Sequence, residues 1–131
     1  MYIVSAYAAL LALLFVGLSI RTLRLRRNLR IAIGDGGNQK MLRAMRVHSN
    51  FAEYVPLCLV LLFFVESNGA QPGLVHGLCL CLIIGRISHA FGVSQLNENY
   101  RFRVTGMALT FATIIVASVY LLLSVALNHG A

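Results

Sequence analysis

The stretch Arg43–Glu66 reads RAMRVHSNFAEYVPLCLVLLFFVE, and its two halves suit different solvents. Leu57–Val65 is a run of nine residues without a charge or an amide. The residues just before it include Arg46, His48, Asn50 and Glu53. An α-helix rises about 1.5 Å per residue, so about 20 residues are needed to cross a hydrocarbon core of about 30 Å. Phe51–Val65 falls short of that, and reaches spanning length only by taking polar residues in at one end. The segment predicts a membrane helix with a polar entrance. The polar residues need a reason to be there.

The rest of the chain agrees about the solvent. Of its 131 residues 59% are hydrophobic and 11% charged, with a mean hydropathy of +0.80. Soluble domains average about 45–50% apolar and roughly 25% charged. Four apolar stretches stand out: Met1–Ile20, Phe51–Val65, Leu74–Ile84 and Gly106–Leu127. The first and last carry no ionisable side chain other than tyrosine. The expectation is an all-α membrane protein, a bundle of four transmembrane helices, in a single domain over residues 1–131. Its helices are expected at about 2–33, 39–66, 72–92 and 100–127.

Met1–Ile20 does not read as a cleaved signal peptide, which puts its positive charges before the apolar run. Here Arg21, Arg24, Arg26, Arg27 and Arg30 follow it, so it is expected to be a retained first helix. The net charge of +7 raises the question of nucleic acid, but its distribution argues for topology. Eight of the eleven Lys and Arg residues lie between Arg21 and Arg46, Arg86 is near the end of the third apolar segment, and Arg101 and Arg103 precede the fourth. The connection Glu66–Gly73 and the tail Asn128–Ala131 have none. The positive-inside rule then places every cation on the cytoplasmic side and both termini in the periplasm.

The connections read as turns. LRLRRNLRIAI extends the first helix beyond the membrane until Gly34, where the Gly34–Gly37 run stops it. That run lacks the GKS or GKT ending of a phosphate loop. Asn38 or Asp35 is a candidate cap for helix 2. Cys58, Cys79 and Cys81 lie in apolar runs without CxxC spacing and read as small buried hydrophobes rather than a disulfide or metal framework.

On a helix, Arg46, Asn50 and Glu53 are spaced i, i+4, i+7 and share a face, flanked by Arg43 and Tyr54. Thirteen residues separate Glu53 from Glu66, about 20 Å, so Glu53 lies about 10 Å inside the cytoplasmic boundary. An ionised group at the bilayer centre costs on the order of 2.5–3.5 kcal/mol, less towards the interface. Glu53 is therefore expected to face the bundle interior and to have a partner there. Arg86 and His89, at i, i+3, reach the same level from helix 3, Arg24 from helix 1, and Arg101 and Arg103 from helix 4. Several Arg and one Glu leave positive charge in excess, which suggests an anionic guest at the inner membrane edge. The plainer readings are that Arg21, Arg26, Arg27 and Arg30 are topology signals or contacts to anionic lipid, that Arg86 and His89 are a structural pair, and that Asn50 is an interhelical hydrogen bond.

The pattern R-x-x-x-N-x-x-E-Y-x-P at Arg46, Asn50, Glu53, Tyr54 and Pro56 resembles the signature of the MAPEG family, the membrane-associated proteins of eicosanoid and glutathione metabolism. Arg24-Leu25-Arg26 is similar to the family's RLR, and Gly85-Arg86-Ile87-Ser88-His89 to its G-R-x-x-H. The resemblance covers nearly the whole chain and points to the bacterial, microsomal glutathione transferase-like branch. It implies a homotrimer in the bacterial inner membrane, with glutathione as co-substrate between adjacent protomers near the cytoplasmic side. It also implies a membrane enzyme conjugating glutathione to lipophilic electrophiles, reducing lipid hydroperoxides, or both. The ligands so implied are Arg24, Arg46, Asn50, Glu53, Tyr54, Arg86 and His89, with Glu53 on the ammonium and the arginines on the carboxylates. Arg103 or Arg101 is the implied thiol-activating residue, with Arg103 preferred, and Thr105 stands where some members have serine. Val93 stands where many have tyrosine. Metal is not expected, nor nucleic acid; the expected partners are glutathione, a lipophilic small-molecule or lipid substrate and membrane lipid. The competing expectation is a non-catalytic lipid- or glutathione-binding protein of the same fold.

Overall fold

The computed structural model describes residues 2–129; Met1 and residues 130–131 of the expected domain lie outside the described residues. Four helices follow in order: α1 (Ile3–Leu29), α2 (Gln39–Ser67), α3 (Pro72–Ser94) and α4 (Tyr100–His129). All four are long and apolar enough to cross a membrane. Their outer surface is as apolar as their core, unlike that of a water-soluble protein. Leu13, Leu122 and Leu127 are at least 70% exposed on the outside, whereas the largest fully buried side chain is Arg86 at 1%. An outer surface of this kind is at rest only in hydrocarbon. The protein is a four-helix membrane bundle.

The sequence sets the helix ends locally. α1 stops at Leu29, short of Gly34, because Arg30 turns into the left-handed region at φ 55°. The N–H groups of Arg30 and Ile31 fold back onto the carbonyls of Arg27 and Arg26 at 3.3 and 3.0 Å, closing the last turn. Arg26 then fastens the following loop, donating to the carbonyls of Ala32 and Gly34 at 3.5 and 2.9 Å. Asn38 caps α2, accepting from the Met41 N–H at 3.1 Å, while Asp35 accepts from Gly37 inside the turn at 2.9 Å. Pro72 opens α3 at a position where its missing N–H costs nothing. The start of α1 has no side-chain cap of its own. Glu66, at the end of α2, supplies one from across the bundle, accepting from the N–H groups of Ile3 and Val4 at 2.8 and 3.2 Å.

Packing follows from these ends. α2 and α3 form the middle of the bundle: α1 and α4 each pack on both, and among the described residues α1 and α4 do not touch each other. The core between α1, α2 and α3 includes Leu11, Val47, Phe51, Leu62, Val75 and Leu82. α3 and α4 approach most closely at Gly85 and Gly106, where a Cβ on Gly106 would sit 2.6 Å from the Gly85 carbonyl oxygen and 2.7 Å from the His89 backbone nitrogen. The end of α1, the starts of α2 and α4 and the end of α3 meet at one pole. Arg21 donates to Ser94 there at 2.6 Å, and Arg43 to the Val93 carbonyl at 3.0 Å. This cation-rich pole carries the candidate site.

Candidate functional site

Arg86 is the centre of the buried polar network. One η nitrogen donates to Asn50 Oδ1 at 2.6 Å. The other reaches the Gly106 carbonyl at 3.5 Å and Met107 Sδ at 3.4 Å. Its Cζ lies 5.9 Å from the centre of the Tyr54 ring, a cation–π distance. Among the described residues no carboxylate pairs with it, and its Nε has no hydrogen-bond partner. The guanidinium is thus held by neutral dipoles from α2 and α4. Thr110 adds a hydrogen bond to the same Gly106 carbonyl at 2.8 Å. Gly106 is what lets α4 come near enough for this. His89, one turn beyond Arg86, is buried against Gly106 and makes no hydrogen bond among the described residues.

Glu53 lies elsewhere than expected. It faces outward from α2, exposed on the bundle surface, and has no hydrogen-bond or ion-pair partner among the described residues. The helical spacing explains this. Phe51 and Val55 take the buried face and Asn50 and Tyr54 its flank, so position 53 is left outside with Arg46. The three residues of the expected polar face therefore divide, Asn50 turned towards Arg86 and Arg46 and Glu53 turned out. A narrow apolar groove of about 390 Å³ runs beside them between α1 and α2, lined by Ala8, Ala12, Phe15, Ala52 and Pro56 among others. Tyr54 connects the inner and outer groups, its ring edge-on to Phe111 of α4 at 5.7 Å.

At the mouth of α4, Arg101, Arg103 and Thr105 are all exposed. A residue that the sequence pattern did not single out organises this mouth. Glu98, in the α3–α4 connection, has a side chain only 4% exposed and pairs with Arg43 at 2.9 Å. Its other oxygen accepts no hydrogen bond, yet Arg103 Nη1 lies 3.8 Å away, near enough for attraction. The available signal was arithmetic: Glu98 is one of only four acids, surrounded in sequence by none and in space by arginines. Arg24 is exposed on α1 and lines an open cleft at the cation-rich pole. No group of three or more His, Cys, Asp or Glu among the described residues is placed to hold a metal.

Residues 4–123 match the sequence model of the MAPEG family. The chain belongs to the MAPEG family. Among curated proteins it is 39% identical over 109 residues to the inner membrane protein YecN of Escherichia coli K12, covering 83% of this chain and 82% of that one. The same figures hold for YecN of E. coli O6:H1 strain CFT073. Within this MAPEG chain the motif residues separate by environment. Arg86 and Asn50 form the interior network and His89 is buried beside it, whereas Arg24, Arg46, Glu53, Arg101 and Arg103 are on the outside of the bundle. Val93 is 6% exposed and packs into the core, so no aromatic hydroxyl stands at that position.

Proposed function

We propose that the protein is a glutathione-dependent enzyme of the bacterial inner membrane, holding glutathione on the outward face of α2 at the contact between protomers of a homotrimer. The observation that carries this reading is Glu53, an unpartnered carboxylate on the outer surface of a membrane-spanning helix. Such a group is tolerated at that depth when something cationic covers it. The ammonium of glutathione is one such cover, and Arg46, two turns nearer the cation-rich pole, suits a glutathione carboxylate. Arg24, Asn50, Tyr54, Arg86 and His89 complete the proposed ligand set, Arg86 and His89 acting from within by fixing Asn50 and the α3–α4 contact. The inner-membrane location follows the naming of the E. coli relatives, and the one-sided cations favour a cytoplasmic site with periplasmic termini.

The chemistry is attack of the glutathione thiolate on a lipophilic electrophile or a lipid hydroperoxide. A thiol of pKa about 8.5 is only a few per cent ionised at pH 7. Lowering that pKa by two units takes about 2.7 kcal/mol of preferential anion stabilisation, a task for Arg103 or Arg101 at the start of α4, with Thr105 beside them. The lipophilic substrate would enter from the bilayer. Within the chain α1 and α4 do not touch, so an entry between them would be formed by α1 of one protomer and α4 of the next in the proposed trimer.

Titration of glutathione into the purified protein, followed by turnover with a generic electrophile, tests both parts. Glu53→Gln is expected to weaken glutathione binding at least tenfold, about 1.4 kcal/mol; unchanged affinity in a folded oligomer removes Glu53 from the site. The second reading, binding without catalysis, is favoured by the Glu98 carboxylate beside Arg103, which competes for the charge a thiolate needs. Binding without turnover or thiolate absorbance selects it.

A further inference from the structure

The cation-rich pole contains a second feature, separate from the outward face of α2. An open cleft of about 680 Å³ lies between the end of α1, the first turn of α2 and the end of α3. Arg21, Arg24 and Lys40 line it together with the neutral side chains of Asn28, Ser94 and Gln95, and no carboxylate lines it. These cations are not consumed by the fold. Arg21 makes one hydrogen bond, to a serine hydroxyl, and Arg24 and Lys40 make none among the described residues. Arg26 is different, since its guanidinium holds the α1–α2 loop. Lys40 is also placed against the local field, because a cation in a helix's first turn opposes the macrodipole. Three like charges around one concavity repel each other and focus a positive potential into it.

We infer that this cleft binds a phosphate-bearing anion at the membrane edge. Two guanidinium forks and an ammonium match the several oxygens and the charge of a phosphate. Asn28 and Gln95 have amide N–H groups for the remaining oxygens. Ser94 donates its hydroxyl hydrogen to the Ala90 carbonyl and so offers its oxygen to Arg21, which fixes that guanidinium at the rim. Leu25 and Leu96 supply an apolar border, and α1 passes from its apolar run into Arg21 at this level. The phosphate can therefore be a phospholipid head group or a free phosphate. The cleft shares Arg24 with the proposed glutathione ligands; the inference is carried by Arg21 and Lys40, which have no part in that reading.

The test uses the full chain in phosphatidylcholine nanodiscs. Inorganic phosphate is titrated in one arm; in the other, the retention of phosphatidylglycerol from mixed nanodiscs is counted by native mass spectrometry. Arg21→Gln/Lys40→Gln is expected to lose at least tenfold in whichever arm binds, which also identifies the source. Arg27→Gln/Arg30→Gln, which removes the same charge from outside the cleft, is expected to lose less than twofold. Equal losses in the two double variants would mean diffuse surface charge and overturn the inference, as would absence of binding in both arms. Displacement of the bound phosphate by glutathione would also overturn it, since the cleft would then be the glutathione site. Unchanged glutathione affinity in Arg21→Gln/Lys40→Gln keeps the two sites distinct and shows that the variant is folded.

Discussion

Gly106→Ala tests the contact on which the interior network depends. The new methyl group would meet the Gly85 carbonyl oxygen at 2.6 Å and the Cβ and backbone nitrogen of His89 at 2.7 Å. Ordinary contact begins at 3.4 Å, so α3 and α4 would have to separate locally by about 0.8 Å. Two of the three obstructing atoms are backbone, and no rotamer change removes them. Overpacking of this kind costs about 1–3 kcal/mol. The same movement lengthens the Arg86–Gly106 hydrogen bond, already 3.5 Å, and leaves a buried guanidinium with fewer acceptors. Gly17→Ala is the matched control, because nothing lies within 4 Å of a Cβ there and it carries only the helix-propensity gain of up to about 1 kcal/mol that Gly106→Ala shares. Reversible unfolding in mixed micelles on titration with dodecyl sulfate measures both. Equal stability of the two variants would refute the close α3–α4 crossing and the support it gives Arg86.

Three further outcomes are expected. Glu66→Ala should cost about 0.5–2 kcal/mol in the same titration, since it uncaps α1, while Glu66→Gln, which keeps an acceptor oxygen, should cost less; equal losses would mean that the carboxylate charge rather than the cap matters. A C-terminal reporter that fluoresces only in the cytoplasm should be dark, and a bright signal overturns the orientation. With an electrophile that is turned over, Arg103→Ala should lower kcat far more than glutathione affinity, and Arg101→Ala should act mainly on binding; the reverse pattern assigns the thiolate to Arg101.

The membrane bundle was legible because it rests on long-range averages. Four apolar runs leave little choice in the number of spans, and the Asn38 cap and the Pro72 start of α3 are local chemistry. The end of α1 was less legible. The sequence offers Gly34 as the stop, but Arg30 takes the left-handed turn first. That conformation costs an L-residue about 1–2 kcal/mol and is supported here by the Arg30 and Ile31 amides, which find carbonyls behind them. The outward direction of Glu53 is not legible for a different reason. The rule that intramembrane charges face inward applies to the finished assembly, and the interior of one chain is only part of that. The role of Glu98 is not legible in sequence because it depends on Arg43 and Arg103 arriving from two other helices.

The separation of Arg86 from Glu53 is itself informative. A buried guanidinium and an intramembrane carboxylate on neighbouring helices would ordinarily be expected to neutralise each other, and here they do not. Arg86 is satisfied instead by Asn50, whose side-chain oxygen accepts from it. That hydrogen bond settles which end of the amide faces inward, so the Asn50 N–H groups point away from Arg86. An aspartate at position 50 would pair with Arg86 more strongly and would have no donor left to offer. Asparagine therefore holds the cation without cancelling its charge and keeps two donors for another acceptor. Glu53 has no partner among the described residues and lies open on the outer face. The arrangement gives up the stability of an internal ion pair, and what it retains is a carboxylate and an amide donor one turn apart on one helix, both uncommitted among the described residues.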